Sequence, residues 1–257
     1  MQAKTIAIDG VDLEVFEGGA GRPLLFLHSG QGFDPAHPFV NGLTDSYRVV
    51  APSHPGFGKS GLPDWMDDVD DIAYLYLDLI DQLGLDTVDM IGCSIGGWIA
   101  AEIATKSPER IARLTLVGPV GVKTGPANKL DVPDIFAKPL EEVNALLFHD
   151  PDKFRMDPSA LTDEQLAIAM RNRESLALFS WEPYMHNPKL KRRLHRAKMP
   201  AQLIRGESDG VVSQAYLDRY AALLPDARIV TIPEAGHAPQ IEEPDRFNDA
   251  IRAFHTS

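Results

Sequence analysis

The chain has 257 residues, 44% of them hydrophobic and 24% charged. That is ordinary globular composition at the length of one large domain, or one domain carrying an insertion, and it excludes a disordered, collagen-like or low-complexity protein. The 25 Lys and Arg against 37 Asp and Glu leave a formal net charge of −12, whose repulsive field argues against nucleic acid or anionic membrane as partners. Cys93 is the single cysteine, which excludes an internal disulfide framework and any Cys-rich metal site and fits a reducing compartment. With no secretory h-region and no apolar run of about 18 residues, the expectation is a soluble, cytoplasmic protein.

In chain order, residues 5–17 read as a hairpin around Asp9-Gly10. The continuously apolar run Pro23–His28 reads as a strand covered on both faces, as do Tyr47–Ala51 and Val88–Gly92. Val69–Leu83 carries Ile72, Leu75, Leu79 and Leu83 at helical spacing, Ile95–Lys106 is a second helix, and Arg110–Val117 another strand. Strands alternating with helices predict an α/β protein with a mostly parallel sheet. From Gly121 to Met199 the rhythm changes to helices at Leu140–His149 and Thr162–Phe179 with no strand pattern, a segment too small to bury much surface alone. The α/β pattern resumes with strands at Ala201–Arg205 and Arg228–Ile232 and helices at Ser213–Leu224 and Glu242–His255. The organisation predicted is a core of residues 1–120 and 200–257 with a helical insertion at 121–199. The basic run Lys189–Lys198 reads as a solvated connector. The acidic stretch Asp64–Asp71 reads as a helix start, since Asp side chains accept first-turn amides.

The chemistry concentrates in Gly92-Cys93-Ser94-Ile95-Gly96-Gly97, a G-x-S-x-G motif between an apolar strand and a helix. A serine on so tight a turn takes a strained backbone conformation that aims Oγ away from the sheet, and the helix start points amides where negative charge develops in acyl transfer. The glycine spacing frames Ser94 as nucleophile rather than Cys93. A serine needs a base and the base an orienting carboxylate. Asp209 and His237 follow later strands in the order Ser, Asp, His, with Glu207 the substitute carboxylate. The second half of an oxyanion hole, beside the Ile95 amide, falls to Gly30 or Ser29, which sequence does not separate. His28 reads as a structural ring that ties its loop in place, and Ser53–Gly58 as a rigid turn bordering the site. No metal-ligand spacing is present.

Taken together, His28-Ser29-Gly30, Pro55-Gly56-Phe57-Gly58-Lys59-Ser60, the Ser94 motif, Gly206-Glu207-Ser208-Asp209 and Gly236-His237 resemble a serine hydrolase of the α/β-hydrolase fold family over essentially the whole chain. The resemblance implies a mostly parallel eight-stranded sheet flanked by helices, with residues 121–199 as an inserted helical cap. It also implies catalysis by Ser94, His237 and Asp209 without metal or organic cofactor, and either a monomer or a homodimer. Relatives with an aspartate nucleophile, the haloalkane dehalogenases and epoxide hydrolases, are set aside because Ser94 stands at that position. Hydrolases of carbon-carbon bonds in vinylogous diketones keep the same triad, but many place an aromatic residue after the histidine where this chain has Ala238. The expectation is therefore hydrolysis of small to medium hydrophobic carboxylic esters through an acyl-enzyme. The alternatives are a carbon-carbon hydrolase, a lactonase, or a small-molecule receptor of the same fold. Phe136, Leu147, Phe148, Phe179, Trp181, Tyr184 and Met185 are the candidate lining of an apolar pocket under the cap.

Overall fold

Asp9 and Gly10 both take positive φ, 46° and 78°, the conformation a two-residue hairpin turn demands. They fold β1 (Gln2–Ile8) back onto β2 (Val11–Gly18) as an antiparallel pair. The computed structural model describes residues 1–155 and 157–255. After the hairpin come β3 (Arg22–Leu27), β4 (Tyr47–Pro52), β5 (Val88–Cys93), β6 (Ile111–Val117), the two-residue strands β7 (Gly121–Val122) and β8 (His186–Asn187), then β9 (Ala201–Gly206) and β10 (Ala227–Ile232). The central sheet has eight strands in the order β1-β2-β4-β3-β5-β6-β9-β10. It is antiparallel at β1, β2 and β4 and parallel from β4 to β10.

Helices cover both faces, which is why the central strands are mostly apolar; every residue of β5 is buried, its Asp89 paired with Arg22. One face carries α2 (Val69–Gln82) and α3 (Ile95–Lys106), and the other α1 (Pro38–Thr44) and α9 (Pro244–His255). The third helix of the core's first face is α7 (Gln214–Ala221), which contributes Tyr216, Leu217 and Tyr220. In α9 the buried Phe247, Ile251 and Phe254 fall on one stripe, as a helix lying on a sheet requires. In α3, by contrast, Ile95 through Thr105 are all buried, because cap residues cover its outer side.

Strand order reverses at β3, which pairs with β4 on one side and β5 on the other. The crevice at the carboxyl ends of strands flanking such a reversal is where α/β sheets place ligands. Between β6 and β9 the chain builds a cap from α4 (Leu140–Leu147), α5 (Pro151–Phe154) and α6 (Asp163–Ser180), the last opened by a capping box of Thr162 and Gln165. The sequence pattern shows no strand in this segment, yet β7 and β8 pair in parallel across its base. Two-residue strands are too short to leave a hydrophobic period. The short helix α8 (Pro239–Glu242) and α1 also lie outside the sequence-predicted elements. The basic run forms two 3-10 turns whose Leu190 and Leu194 are fully buried while Lys191, Arg192 and Lys198 face solvent. Asp68 accepts the Asp71 amide at 2.9 Å and so caps α2. Among the described residues, no helix is long and apolar enough to cross a membrane.

Candidate active site

Ser94 sits between β5 and α3 at φ 54° and ψ −113°, a strained conformation for a residue with a Cβ. The turn closes only because its neighbours lack one. A Cβ on Gly92 would stand 2.3 Å from the Gly96 carbonyl oxygen, and one on Gly96 2.3 Å from that of Leu27. The Ser94 amide donates to the Val117 carbonyl at 2.8 Å, pinning the turn to the end of β6.

Loops after β9 and β10 bring two further side chains to the serine. His237 Nε2 is 2.9 Å from Ser94 Oγ, and His237 Nδ1 is 3.0 Å from Asp209 Oδ2. Asp209 is the carboxylate in contact; Glu207 is exposed and the imidazole turns away from it. The second oxygen of Asp209 accepts the Val211 and Val212 amides, each at 2.8 Å. Both the acid and the histidine are buried, and with one carboxylate oxygen fixed by two backbone donors the other is presented to Nδ1–H. That tautomer leaves Nε2 free to accept the Ser94 proton. The His237 loop is itself anchored: its amide donates to the Leu147 carbonyl at 2.7 Å. The buried Glu242 carboxylate accepts Gly236 N–H with one oxygen and His149 N–H, at 2.8 Å, with the other.

The Ile95 amide opens α3 and has no acceptor within its helix. Across the crevice, Ser29 and Gly30 follow β3 and border the same cavity as Ser94. Their loop rests on two imidazoles, His28 and His54, whose ring centres are 3.7 Å apart and tilted by 31°. His28 Nε2 accepts the His54 amide at 2.9 Å, so His28 Nδ1–H donates to the Ser29 carbonyl at 2.6 Å. His54 Nε2–H in turn donates to the His28 carbonyl at 2.9 Å, and its Nδ1 accepts from the Tyr76 hydroxyl at 2.6 Å. Burial holds His28 down to about 4 and His54 well below the usual imidazole value. Both are neutral rings that shape the loop. Cys93 is buried against the opposite face of the sheet, where desolvation raises its thiol far above the usual range, so no thiolate faces the site.

The cap closes over this crevice through α6. Asn172 Nδ2 donates to the Gln31 carbonyl at 3.0 Å while its Oδ1 accepts the Gly58 amide at 2.9 Å. Ser175 Oγ donates to Gly56 O at 2.8 Å, and Arg171 donates to Gly58 O at 3.0 Å and to Ser60 O. A Cβ on Gly30 would meet Leu176 at 2.6 Å. A cavity of about 290 Å³ remains between cap and core, bordered by Ser94 and His237. Leu147 and Met185 line it, as does Tyr184. Phe136, Phe148, Phe179 and Trp181, also expected there, do not. Trp181 is 54% exposed and rests on Phe136, Phe148 stacks on Phe154, and Phe179 borders a separate surface pocket beside Trp98 and Glu102. Only Phe179 lies within a helix; Phe136 sits in irregular chain before α4, and Phe148 and Trp181 each follow the last residue of a helix. The apolar lining comes instead from Val132, Ile135, Val143, Leu166 and Leu176. Asn144, Asn172 and Arg173 also border the cavity, and among the described residues Arg173 is its one permanently charged side chain. Sequence reading missed these three because they belong to no motif. For Asn172 the available signal was its place with the polar Ser175 and Ser180 on one face of α6, which turns out to be buried together with Phe179.

A family model described as "Alpha/beta hydrolase family" matches residues 24–250. The 2-hydroxy-6-oxo-6-phenylhexa-2,4-dienoate hydrolase of Burkholderia cepacia is 29% identical, the match covering 90% of this chain and 87% of that protein. The 2-hydroxymuconate semialdehyde hydrolase of Pseudomonas putida is 26% identical over 98% of this chain and 93% of its own. Among solved structures, the 2-hydroxy-6-oxo-6-phenylhexa-2,4-dienoate hydrolase of Rhodococcus sp. strain RHA1 superposes with a TM-score of 0.77 at 21% identity, covering 100% of this chain and 99% of that one. These matches overturn the expectation of a carboxylic ester hydrolase. Relatives aligned along nearly the whole chain are named for oxo-dienoate and semialdehyde substrates, and "serine esterase" does not describe them. The eight-stranded sheet, the inserted helical cap and the family match lead to one conclusion: this chain belongs to the alpha/beta hydrolase family.

Proposed function

We propose that the protein is a carbon-carbon bond hydrolase acting on vinylogous 1,5-diketones of the 2-hydroxy-6-oxo-dienoate class. The observation that carries this reading is the agreement of relatives matched over nearly the full chain on that substrate class. The cavity supports it: a predominantly apolar enclosure suits the hydrocarbon part of such a substrate. Arg173 supplies one cation, on an otherwise acidic protein, for the substrate's carboxylate.

In the assigned mechanism Ser94, His237 and Asp209 act as nucleophile, base and orienting acid. The substrate reacts as its diketone, with C5 carrying two hydrogens between the C6 ketone and a conjugated C2 ketone. His237 Nε2 takes the Ser94 proton as Oγ attacks C6, and the Ile95 amide with that of Gly30 or Ser29 holds the oxyanion. When the oxyanion collapses, the C5–C6 bond breaks and its electron pair passes through C4 and C3 to the C2 oxygen. That oxygen takes the proton from His237, which yields a dienol and leaves the acyl group on Ser94. Water, deprotonated by the same histidine, then releases the acid. The C2 carbonyl thus does for a carbon leaving group what electronegativity does for an alkoxide.

The test is incubation of the purified protein with 2-hydroxy-6-oxo-6-phenylhexa-2,4-dienoate and analysis of the products. Benzoate and 2-hydroxypenta-2,4-dienoate in equal amounts are expected. Unchanged substrate after many enzyme equivalents of time and concentration would reject the reading.

A further inference from the structure

Asp209 and His237 ride on separate loops, and one stretch of the cap grips both. The last carbonyls of a helix find no amide within it, and at the end of α4 they are taken by the core. The Leu146 carbonyl accepts the Gly210 amide at 3.0 Å, one residue past Asp209, and the Leu147 carbonyl accepts the amide of His237 itself. Beyond the helix the chain runs to Glu242, the last residue of α8. One Glu242 oxygen accepts the His149 and Asp150 amides at 2.8 and 3.2 Å, and the other accepts the Gly236 amide, next to His237. His149 Nδ1 also lies 2.8 Å from Ser208 Oγ, on the other side of Asp209. The approach leaves no spare room: a Cβ on Gly236 would stand 2.4 Å from the Leu147 carbonyl oxygen.

The chemistry at position 242 follows from these neighbours. Amides converge on it from the cap on one side and from the His237 loop on the other, and a carboxylate offers an acceptor to both, whereas a glutamine would turn its own amide hydrogens toward one of them. Glu242 is only 6% exposed, so water gives little help, and it does not border the active-site cavity. We propose that Glu242 is a positioning residue: by tying residues 149–150 of the cap to Gly236, it holds the His237 imidazole between Ser94 and Asp209. This role rests on the reading of Ser94, His237 and Asp209 as the reacting groups, and on no feature of the substrate. Enclosure and catalysis then depend on one piece of the cap. Val143, Asn144 and Leu147 of α4 border the cavity, while the end of the same helix holds the loops of the acid and the base.

The test is the second-order rate at which a fluorophosphonate labels Ser94, a reaction that needs His237 in place but no particular substrate. It is read together with the urea midpoint and the downfield proton resonance of His237 Nδ1–H. Glu242→Gln is expected to slow labelling at least about tenfold, part of the roughly hundredfold that a misplacement of about 1 Å costs, and to shift or broaden the resonance. Glu242→Asp keeps the charge but shortens the reach. It is expected to slow labelling too, which assigns the effect to position rather than charge and serves if the glutamine protein does not fold. Glu102→Gln alters another buried carboxylate that fastens the cap, through Asn187 Nδ2 at 2.8 Å, away from both loops. That variant is expected to lower the urea midpoint and to leave labelling within about twofold. The proposal is overturned if Glu242→Gln or Glu242→Asp labels as fast as the unmodified protein, if the resonance is unmoved, or if Glu102→Gln slows labelling as much. Labelling that survives Ser94→Ala overturns the triad itself, and the role of Glu242 with it.

Discussion

Ser94 tolerates its positive φ because backbone hydrogen bonds on both sides hold it, and the two glycines beside it admit no substitute. Gly96→Ala is therefore expected to lower the melting temperature and abolish turnover together, since the added methyl meets backbone that has nowhere to move. Asp209→Asn keeps the geometry but offers Nδ1 the wrong partner; a fall in kcat of about 10⁴ is expected, with the circular dichroism unchanged. Glu207→Gln is expected to stay within about twofold, as an exposed surface change. Arg173→Met is expected to raise KM for the dienoate about tenfold, the cost of a charge-assisted contact, while leaving kcat little changed. Steady-state kinetics on these variants checks each outcome. At this scale the proposed triad was legible because each member is punctuated by glycine at a strand end. The reaction proposed for it was not. Ester and carbon-carbon hydrolysis run through the same acyl-serine, and Ala238 was weighed as a departure although it is one small side chain in a cavity lined by both cap and core.

Helix α6 acts as a strap rather than a loose lid. Asn172 alone joins it to two core loops, one of them the oxyanion loop, and Ser175 and Arg171 extend the seam to Gly56 and Ser60. Asn172→Leu removes the side-chain partner of the Gln31 carbonyl and of the Gly58 amide at a part-buried seam. The expected cost is about 1 kcal/mol per lost hydrogen bond, read as a lower urea midpoint. It is also expected to reduce kcat more than it raises KM, because the loop that holds the oxyanion loses its support. The span of α6 was readable from sequence, as were α2, α3 and the six longer parallel strands. Which cap residues border the cavity was not readable: Phe136 and Trp181 were candidates by composition, but they pack on each other outside the cap helices, while Leu166, Leu176 and Arg173 of α6 border the cavity. Strands β7 and β8 escaped notice because a pair of residues carries no period.

At the scale of the whole molecule, three buried histidines link stability to pH. His28 and His255 are both held to about 4, chiefly by burial, and His54 is driven well below the ordinary 6.5 for the same reason. The unfolded chain takes up these protons as pH falls through about 6.5, whereas the folded protein refuses them until about 4. Their contribution is complete above pH 6.5 and is lost progressively between 6.5 and 4. The melting temperature should therefore hold steady from pH 8 to 7 and decline from 6.5 downward. His255→Phe should make that decline shallower. A flat melting temperature down to pH 4.5 would contradict the assignment of neutral rings. Because His28 and His54 carry the oxyanion loop, acid should also remove activity before it unfolds the sheet. The overall architecture was visible in the alternation of strands and helices, while the shape of the cavity follows from how the cap meets the core.

The most direct test of the account is the ratio of kcat/KM for 2-hydroxy-6-oxo-6-phenylhexa-2,4-dienoate to that for phenyl acetate and phenyl butyrate, with Ser94→Ala as the blank. The account predicts dienoate cleavage that exceeds ester cleavage by at least about tenfold, a transition-state preference of about 1.4 kcal/mol, and that disappears in Ser94→Ala. Rapid ester hydrolysis with no cleavage of the dienoate, or dienoate cleavage that survives Ser94→Ala, would contradict it.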